Sequence, residues 1–473
     1  MSHAQQLQAG MLIDGYQLEQ KMHTGGMAAL WRVTDTLGRH LQDGQAPPLM
    51  MKVPLLFTTE DPTAIVAFEV EQMIMPKLKG RHVPRFFSSG DFDTQPYIVM
   101  EQIAGVSLRA RFDEAPLPET EVIDIGIRVA RALQDLHKQH VIHLDIKPSN
   151  IMFRETGEAV LIDYGLSHHT RLPDLLDEEF RLPLGTGPYI SPEQVSGIRT
   201  EARSDLFALG VLLYHLATGQ RPFGNPTSIP GLKKRLYRDP IPPRHHKTDL
   251  SPWLQEVILC CLEVKAELRY QSAAQLAFLL QHPQQINLSA RATKLQQDGL
   301  WHVIKRRFAL NNEESRLQSG VAQQLSLAPI IAVALDLSNS PAALSKELLQ
   351  VTRQILQTVA GARLACLTIR KTSRLGMDEG MIQGGENIHV KQLVDLKHWA
   401  QGLHDYADKI TYHVLEAPDP ASAIIEYAHN NQVDHIIIGS RGSSALRRYL
   451  GSVSAQVVAE AECTVTVVKA KLE

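Results

Sequence analysis

At 473 residues the chain is long enough for two or three domains with full cores. Its 48 Lys+Arg stand against 51 Asp+Glu, so no net field favours nucleic acid or an anionic membrane. Four cysteines (Cys260, Cys261, Cys366, Cys463) show neither metal-ligand spacing nor a disulfide framework. With no apolar leader in MSHAQQLQAG and no run of eighteen apolar residues, the expectation is a soluble cytoplasmic protein without a transmembrane segment.

Up to about residue 105, short apolar runs between turn residues read as strands, including Ala29–Val33, Leu49–Val53 and Tyr97–Met100. One helical segment interrupts them near Ala64 to Leu78. From Glu119 the apolar spacing turns helical (Val122, Ile125, Val129, Leu133, Leu136), and helices dominate to about residue 280. Residues 283–327 read as a linker, Gln-rich and Ser-containing around a short basic amphipathic helix, Trp301 to Phe308. From Pro329, strands and helices alternate. Strands are expected at Ile330–Leu335, Ala362–Ile369, Thr411–Leu415, His435–Ile438 and Thr464–Val468. Helices are expected at Ala342–Thr358, Val390–Tyr406, Ala421–Asn430 and Ala445–Ala461. That alternation predicts a five-stranded parallel sheet wrapped by helices.

The chemistry concentrates in His143-Leu144-Asp145-Ile146-Lys147-Pro148-Ser149-Asn150, followed thirteen residues later by Asp163-Tyr164-Gly165. An Asp, a Lys two residues on, an Asn five residues on and a second Asp opening a D-x-G turn suit phosphoryl transfer from a magnesium nucleotide to a hydroxyl. The run resembles the catalytic loop and metal-binding turn of eukaryotic-type serine/threonine protein kinases. The resemblance implies Asp145 as base, Lys147 as its neighbour, and Asn150 and Asp163 as ligands of Mg2+. Lys52, at the end of an apolar strand, matches the lysine that contacts the nucleotide phosphates. Its acidic partner is Glu71 or Glu69, two residues apart so that only one can face the cleft; the spacing to Arg81-His82-Val83 favours Glu71. Met100 falls at the gatekeeper position, with the backbone of Glu101 and Ile103 facing adenine. Thr186 and Glu193, in Gly185–Glu193, match the segment that closes the activation loop, and Glu193 is expected to pair with Arg269. Asp205 is expected to brace the catalytic loop.

The chain also departs from that family. In Met22-His23-Thr24-Gly25-Gly26-Met27-Ala28, Gly25 alone matches the glycine-rich loop, with His23 and Ala28 at the other glycine positions. Their Cβ atoms stiffen a cover whose N–H groups approach phosphates. Leu144 stands where the family usually carries an Arg that grips a phosphorylated activation loop, so activity is expected not to require that phosphorylation, although Ser167 and Thr170 remain modifiable. The acidic run 174–179 reads as a solvated turn or as a surface that repels acidic substrates.

Beyond Pro329, the strand Ile331–Leu335 ends in Asp336. Later Gly439-Ser440-Arg441-Gly442 opens a turn between strand and helix, and eight residues separate Gly442 from Gly451-Ser452. Free amides at such a turn favour a phosphate. Residues 328–471 resemble the universal stress protein domain, whose pattern has about nine intervening residues. That resemblance implies ATP binding by Asp336, Gly439, Gly442, Gly451 and Ser452, and homodimerisation through the last strand.

The expected architecture is an α+β bilobal protein-kinase fold over residues 14–282, the linker over 283–327, and a universal stress protein-like α/β domain over 328–471. The expected function is serine/threonine protein kinase activity, with ATP and a protein substrate as partners and with the C-terminal domain regulating it by binding ATP, by dimerising, or both. The alternative is a pseudokinase scaffold or nucleotide sensor without turnover.

Overall fold

The computed structural model describes residues 7–41, 46–55, 62–180, 182–299, 303, 306, 307, 329–337, 341–359, 361–372, 387–440 and 451–469. Strands β1 (Leu12–Ile13), β2 (Tyr16–Thr24), β3 (Ala28–Asp35), β4 (Leu49–Pro54), β5 (Phe86–Gly90) and β6 (Tyr97–Glu101) form an antiparallel sheet in the order β1-β2-β3-β4-β6-β5. Period-two alternation sends Trp31, Val33, Met51 and Val53 into one cluster with Tyr16 and Val99. Lys52, between Met51 and Val53, therefore projects from the opposite face. Helix α1 (Pro62–Ile74) lies on that side and buries Ile65, Phe68 and Glu71.

The second lobe is helical. Its helices are α2 (Leu108–Asp113), α3 (Glu119–Lys138), α4 (Leu175–Glu179), α5 (Pro192–Val195), α6 (Arg203–Thr218), α7 (Ile229–Lys233), α8 (Pro243–His246), α9 (Pro252–Cys261), α10 (Ala273–Gln281) and α11 (Ala290–Thr293). The stripe of α3 (Val122, Ile125, Val129, Leu133, Leu136) is buried against its neighbours, whereas α6 is buried almost all round and forms the centre of the lobe. Short antiparallel strands carry the loops of the site: β7 (Gly105–Ser107), β9 (Ile151–Arg154) and β10 (Ala159–Leu161) in one sheet, β8 (Val141–Ile142) and β11 (His168–His169) in another.

The C-terminal domain holds five parallel strands among the described residues: β12 (Ile330–Leu335), β13 (Arg363–Lys371), β14 (Ile410–Ala417), β15 (His435–Ser440) and β16 (Thr464–Lys469), ordered β14-β13-β12-β15-β16. Helices α12 (Ala342–Thr358), α13 (Ile388–Ala400), α14 (Pro420–Asn430) and α15 (Ser452–Glu460) cover both faces. Central β12 is buried at every position, Ile331, Val333 and Leu335 on one side and Ile330, Ala332 and Ala334 on the other. Edge strand β14 lies against α4 of the helical lobe.

Several expectations need correction. The helix expected to reach Tyr406 ends at Ala400 and continues as a 3-10 segment, Gln401–Lys409, kinked at Leu403. The last helix is seen from Ser452; its expected start at Ala445 lies outside the described residues. The acidic run 174–179 is not a solvated turn. Asp174 caps α4, Leu175 and Leu176 are buried, and Glu178 and Glu179 point into the C-terminal domain. Ser167 is buried and donates to the His143 carbonyl (3.1 Å), so it is not open to modification, while Thr170 is exposed. Of the basic segment 301–308, Arg306 pairs with Asp239 (2.8 Å) and Asp298 (3.0 Å), and Arg307 lies over the Tyr237 ring; most of the segment lies outside the described residues. No helix among the described residues is long and apolar enough to cross a membrane.

Candidate active site between the lobes

The loop after β8 is shaped from below by α6. Asp205 accepts hydrogen bonds from the backbone N–H groups of His143 (2.9 Å, at Oδ2) and Leu144 (2.8 Å, at Oδ1), and His137 Nε2 lies 2.8 Å from its Oδ2. This brace holds Leu144 at φ 61, a left-handed conformation costly for a residue with a Cβ. The strained turn presents Asp145, which is 5% exposed. Its Oδ1 accepts from the Thr186 hydroxyl (2.7 Å) and amide (3.2 Å), and its Oδ2 from Lys147 Nζ (2.6 Å) and Asn150 Nδ2 (3.1 Å). Lys147 Nζ also donates to Thr186 Oγ1 at 3.3 Å.

The opposite wall is a second ionic group. Lys52 Nζ donates to Glu71 Oε2 (2.5 Å) and to Asp163 Oδ1 (2.8 Å). The Tyr164 amide reaches Glu71 Oε1 at 3.4 Å. Asp163, like Leu144, has positive φ (69). Gly165 lets this turn approach α1, since a Cβ there would meet the Ala67 carbonyl oxygen at 3.1 Å. The Lys52 ammonium holds Asp163 down at about 2 against the opposing effect of burial, and Lys147 and His143 add to that lowering, so the two ionic groups share one field. Burial works to push Lys52 down, but Asp163 and Glu71 outweigh it and hold it above its ordinary value. Glu71, fully enclosed, is raised by burial against the pull of Lys52.

Of the remaining cleft residues, Gly25 donates its amide to Ala28 O (2.9 Å) in the turn joining β2 to β3, and His23 is paired with Leu30 in that ladder. The Glu101 amide is committed to Arg85 O (2.8 Å), so a backbone contact from Glu101 to a ligand runs through its carbonyl. Its side chain is gripped by Arg154. Ile103 lies just after β6, and Met100 opposes Met50 across β4 and β6. Away from the cleft, Glu193 pairs with Arg269 through two contacts of 2.6 and 2.8 Å, with Arg269 wholly buried.

In the C-terminal domain, Asp336 follows β12 and is exposed, Gly439 lies in β15, and Gly451 caps α15, which begins at Ser452. The Gly451 amide donates to Ser440 Oγ at 3.4 Å. A Cβ on Gly439 would meet Leu344 Cδ2 at 3.0 Å and Leu348 Cδ1 at 3.2 Å, so this glycine serves the packing of α12 on the sheet. Gly442 lies outside the described residues.

Sequence reasoning missed a set of polar residues that join the two domains. Glu69 accepts from Lys397 Nζ (2.6 Å), Glu178 from Arg363 (2.6 Å) and Tyr427 (3.1 Å), and Glu179 lies 2.9 Å from His413 Nδ1. Period-two alternation places His413 inside β14, but nothing in the sequence says which carboxylates it will meet.

Comparison with known proteins follows the same division. The family described as Protein kinase domain matches residues 58–283, and the Universal stress protein family matches residues 329–469. A probable serine/threonine-protein kinase of Clostridium acetobutylicum is 29% identical over 56% of this chain and 39% of its own length. Probable serine/threonine-protein kinase PknB of Corynebacterium glutamicum is 31% identical over 56% of this chain and 42% of its own. The chain thus spans less than half the length of these relatives. The kinase domain of Mycobacterium tuberculosis PknI is 22% identical, with a TM-score of 0.45, over 58% of this chain and 98% of that one. The two family matches together give a protein kinase domain followed by a universal stress protein domain.

Proposed function

We propose that the cleft transfers the γ-phosphoryl group of Mg-ATP to Ser or Thr hydroxyls of a protein substrate. The observation that carries this reading is the convergence of Asp145, Lys147, Asn150 and Thr186 opposite Lys52, Glu71 and Asp163. Asp145 accepts the proton of the attacking hydroxyl, and Lys147 steadies the transferring group. The Thr186 hydroxyl, held between Asp145 Oδ1 and Lys147 Nζ, supports a reading in which these two groups accommodate a substrate hydroxyl together. Lys52, aimed by Glu71, holds the nucleotide phosphates under the Gly25 turn, and the Glu101 carbonyl and Ile103 amide meet adenine.

A carboxylate and an amide oxygen, Asp163 and Asn150, form the small hard-oxygen donor set that Mg2+ accepts when phosphates complete its shell. When bound, the ion neutralises charge developing on the phosphates. No third acidic or imidazole ligand is required, and among the described residues no group of three or more His, Cys, Asp or Glu side chains could hold a metal.

The working division is a kinase domain over 14–282, a linker over 283–327, and a domain over 328–471. That last domain binds ATP at the strand and helix ends that carry Asp336, Gly439, Gly442, Gly451 and Ser452, with Gly439 contributing by seating α12 on the sheet beneath the site, and dimerises along edge strand β16. Purified protein given radiolabelled ATP and a generic protein substrate is expected to label the substrate, while Asp145→Asn does not. Equal labelling by the two, or none by either, replaces this reading with that of a nucleotide-binding scaffold, which His23 and Ala28 in the phosphate-covering turn would favour.

A further inference from the structure

The C-terminal domain touches the kinase domain at the two elements on which the cleft depends. Helix α1 carries two carboxylates two residues apart, and a helix turns about 200° over that spacing. Glu71 therefore faces the cleft and Lys52, while Glu69 faces outward onto Lys397 of α13. The Lys397 ammonium also lies 4.7 Å from the centre of the Phe92 ring, in the turn between β5 and β6, so one cation spans α1 and the sheet behind it. Ile65 and Phe68 of α1 belong to the same apolar cluster as Leu393 and Leu396 of α13.

The second element is α4, in the segment between Asp163 and Thr186. It packs on α1 from one side and on β14 from the other. Glu178 is held by Arg363 (2.6 Å), Tyr427 (3.1 Å) and His413 Nε2 (3.0 Å), and its carbonyl accepts from Asn431 (3.3 Å). Glu179 is held by His413 Nδ1 (2.9 Å). Three carboxylates of the kinase domain thus meet three cationic side chains of the C-terminal domain, and His413 is wholly buried between two of them. Within the kinase domain the segment is pinned once more, by Arg199 Nε to Asp174 Oδ2 at 2.7 Å. Leu144, apolar and buried, offers it no charge.

We propose that Lys397, His413 and Arg363 are positioning residues for phosphoryl transfer: by gripping Glu69, Glu178 and Glu179 they hold α1 and α4 where Glu71 reaches Lys52. The C-terminal domain is then an activating subunit in cis, and the grip on the activation segment is supplied by carboxylates in place of a phosphate. This rests on the reading of the cleft as a phosphotransfer site, and the geometric part of it does not.

The test uses the full chain and three variants: Lys397→Glu, Glu69→Lys, and the two combined as a charge swap. Lys397→Glu places two carboxylates together and is expected to lower kcat about tenfold, a coupling of the usual allosteric size. The swap restores the pair with reversed charges and is expected to recover at least half of the rate, which a general loss of stability would not allow. Hydrogen exchange of the α1 amides, measured at one pH, should rise in Lys397→Glu and fall back in the swap. Wild-type kcat in Lys397→Glu, or a swap no better than either single change, overturns the proposal. So does unchanged exchange in α1. If the wild-type chain labels substrate no better than Asp145→Asn, the phosphotransfer reading falls by itself, and the exchange measurement still decides whether the C-terminal domain holds α1.

Discussion

The cleft between the lobes and the strand ends of the C-terminal domain both read as nucleotide sites from the sequence, and among the described residues the side chains at the two places are held differently. In the cleft, seven polar side chains fix one another through contacts of 2.5–3.3 Å before any ligand arrives. At the strand ends, Gly439 is explained by its packing on Leu344 and Leu348. A constellation of unlike polar residues has few structural excuses, whereas a glycine pattern has an ordinary packing explanation that only coordinates reveal.

The largest effect is expected at the cleft. Asp145→Asn should lower the transfer rate about 10³-fold, roughly 4 kcal/mol of barrier, while leaving the melting temperature in place. A variant within tenfold of wild type would remove the distinction between the two sites. Next come the strand ends. Gly439→Val drives methyl groups into Leu344 and Leu348, and should cost the C-terminal domain about 2 kcal/mol, seen as an earlier melting transition. If this variant instead loses nucleotide binding with unchanged melting, the glycine serves a phosphate and the contrast weakens.

A smaller effect concerns the surface that links the two regions. His413 is faced by Glu178 and Glu179 of α4, with Glu69 of α1 beyond them, by Thr411 beside it, by Arg363 of β13 and by Tyr427 of α14. Burial works to lower it, but hydrogen bonds to the two glutamates outweigh burial and raise it to about 9. Burial raises Glu179 to about 7, against the pull of His413. Both folded-state values lie above the unfolded ones, so both contributions are complete below the unfolded pKa and fade as pH rises, Glu179 through about 7 and His413 through about 9. The stability gap between wild type and His413→Gln should therefore shrink between pH 6.5 and 9.5, by about 1 kcal/mol once desolvation is set against attraction. A constant gap would mean that His413 is held by shape alone. The smallest effect is expected at Thr170→Ala, whose rate should stay within about twofold of wild type, because the segment is gripped through Asp174, Glu178 and Glu179. A deep loss there would assign the grip to a phosphate after all.

The order of strands and helices in both domains could be read from periodicity. Lys52 falls on the cleft face because β4 alternates, and β12 reads as central because every residue in it is apolar. The polar loop 143–150 and the turn at Asp163 announce chemistry because their residues have no role in a hydrophobic core. Element ends were less legible. The helix from Ile388 stops at Ala400, where backbone geometry switches to a tighter turn; Gly402 lies two residues on, but a lone Gly inside a helical pattern does not by itself mark an end.

What the sequence alone determined was the set of reactive groups and the local structure that carries them, since both are written in spacings of two to thirteen residues. What only the tertiary structure decided was the partner of each charge. Glu69 and Glu71 are the same residue type on the same helix, and the acidic run 174–179 looks like any solvated surface. One glutamate went to the cleft and the other to Lys397, 328 positions away, and Glu178 and Glu179 were buried on His413. Pairings of that range depend on how two finished domains dock, and no local pattern encodes the docking.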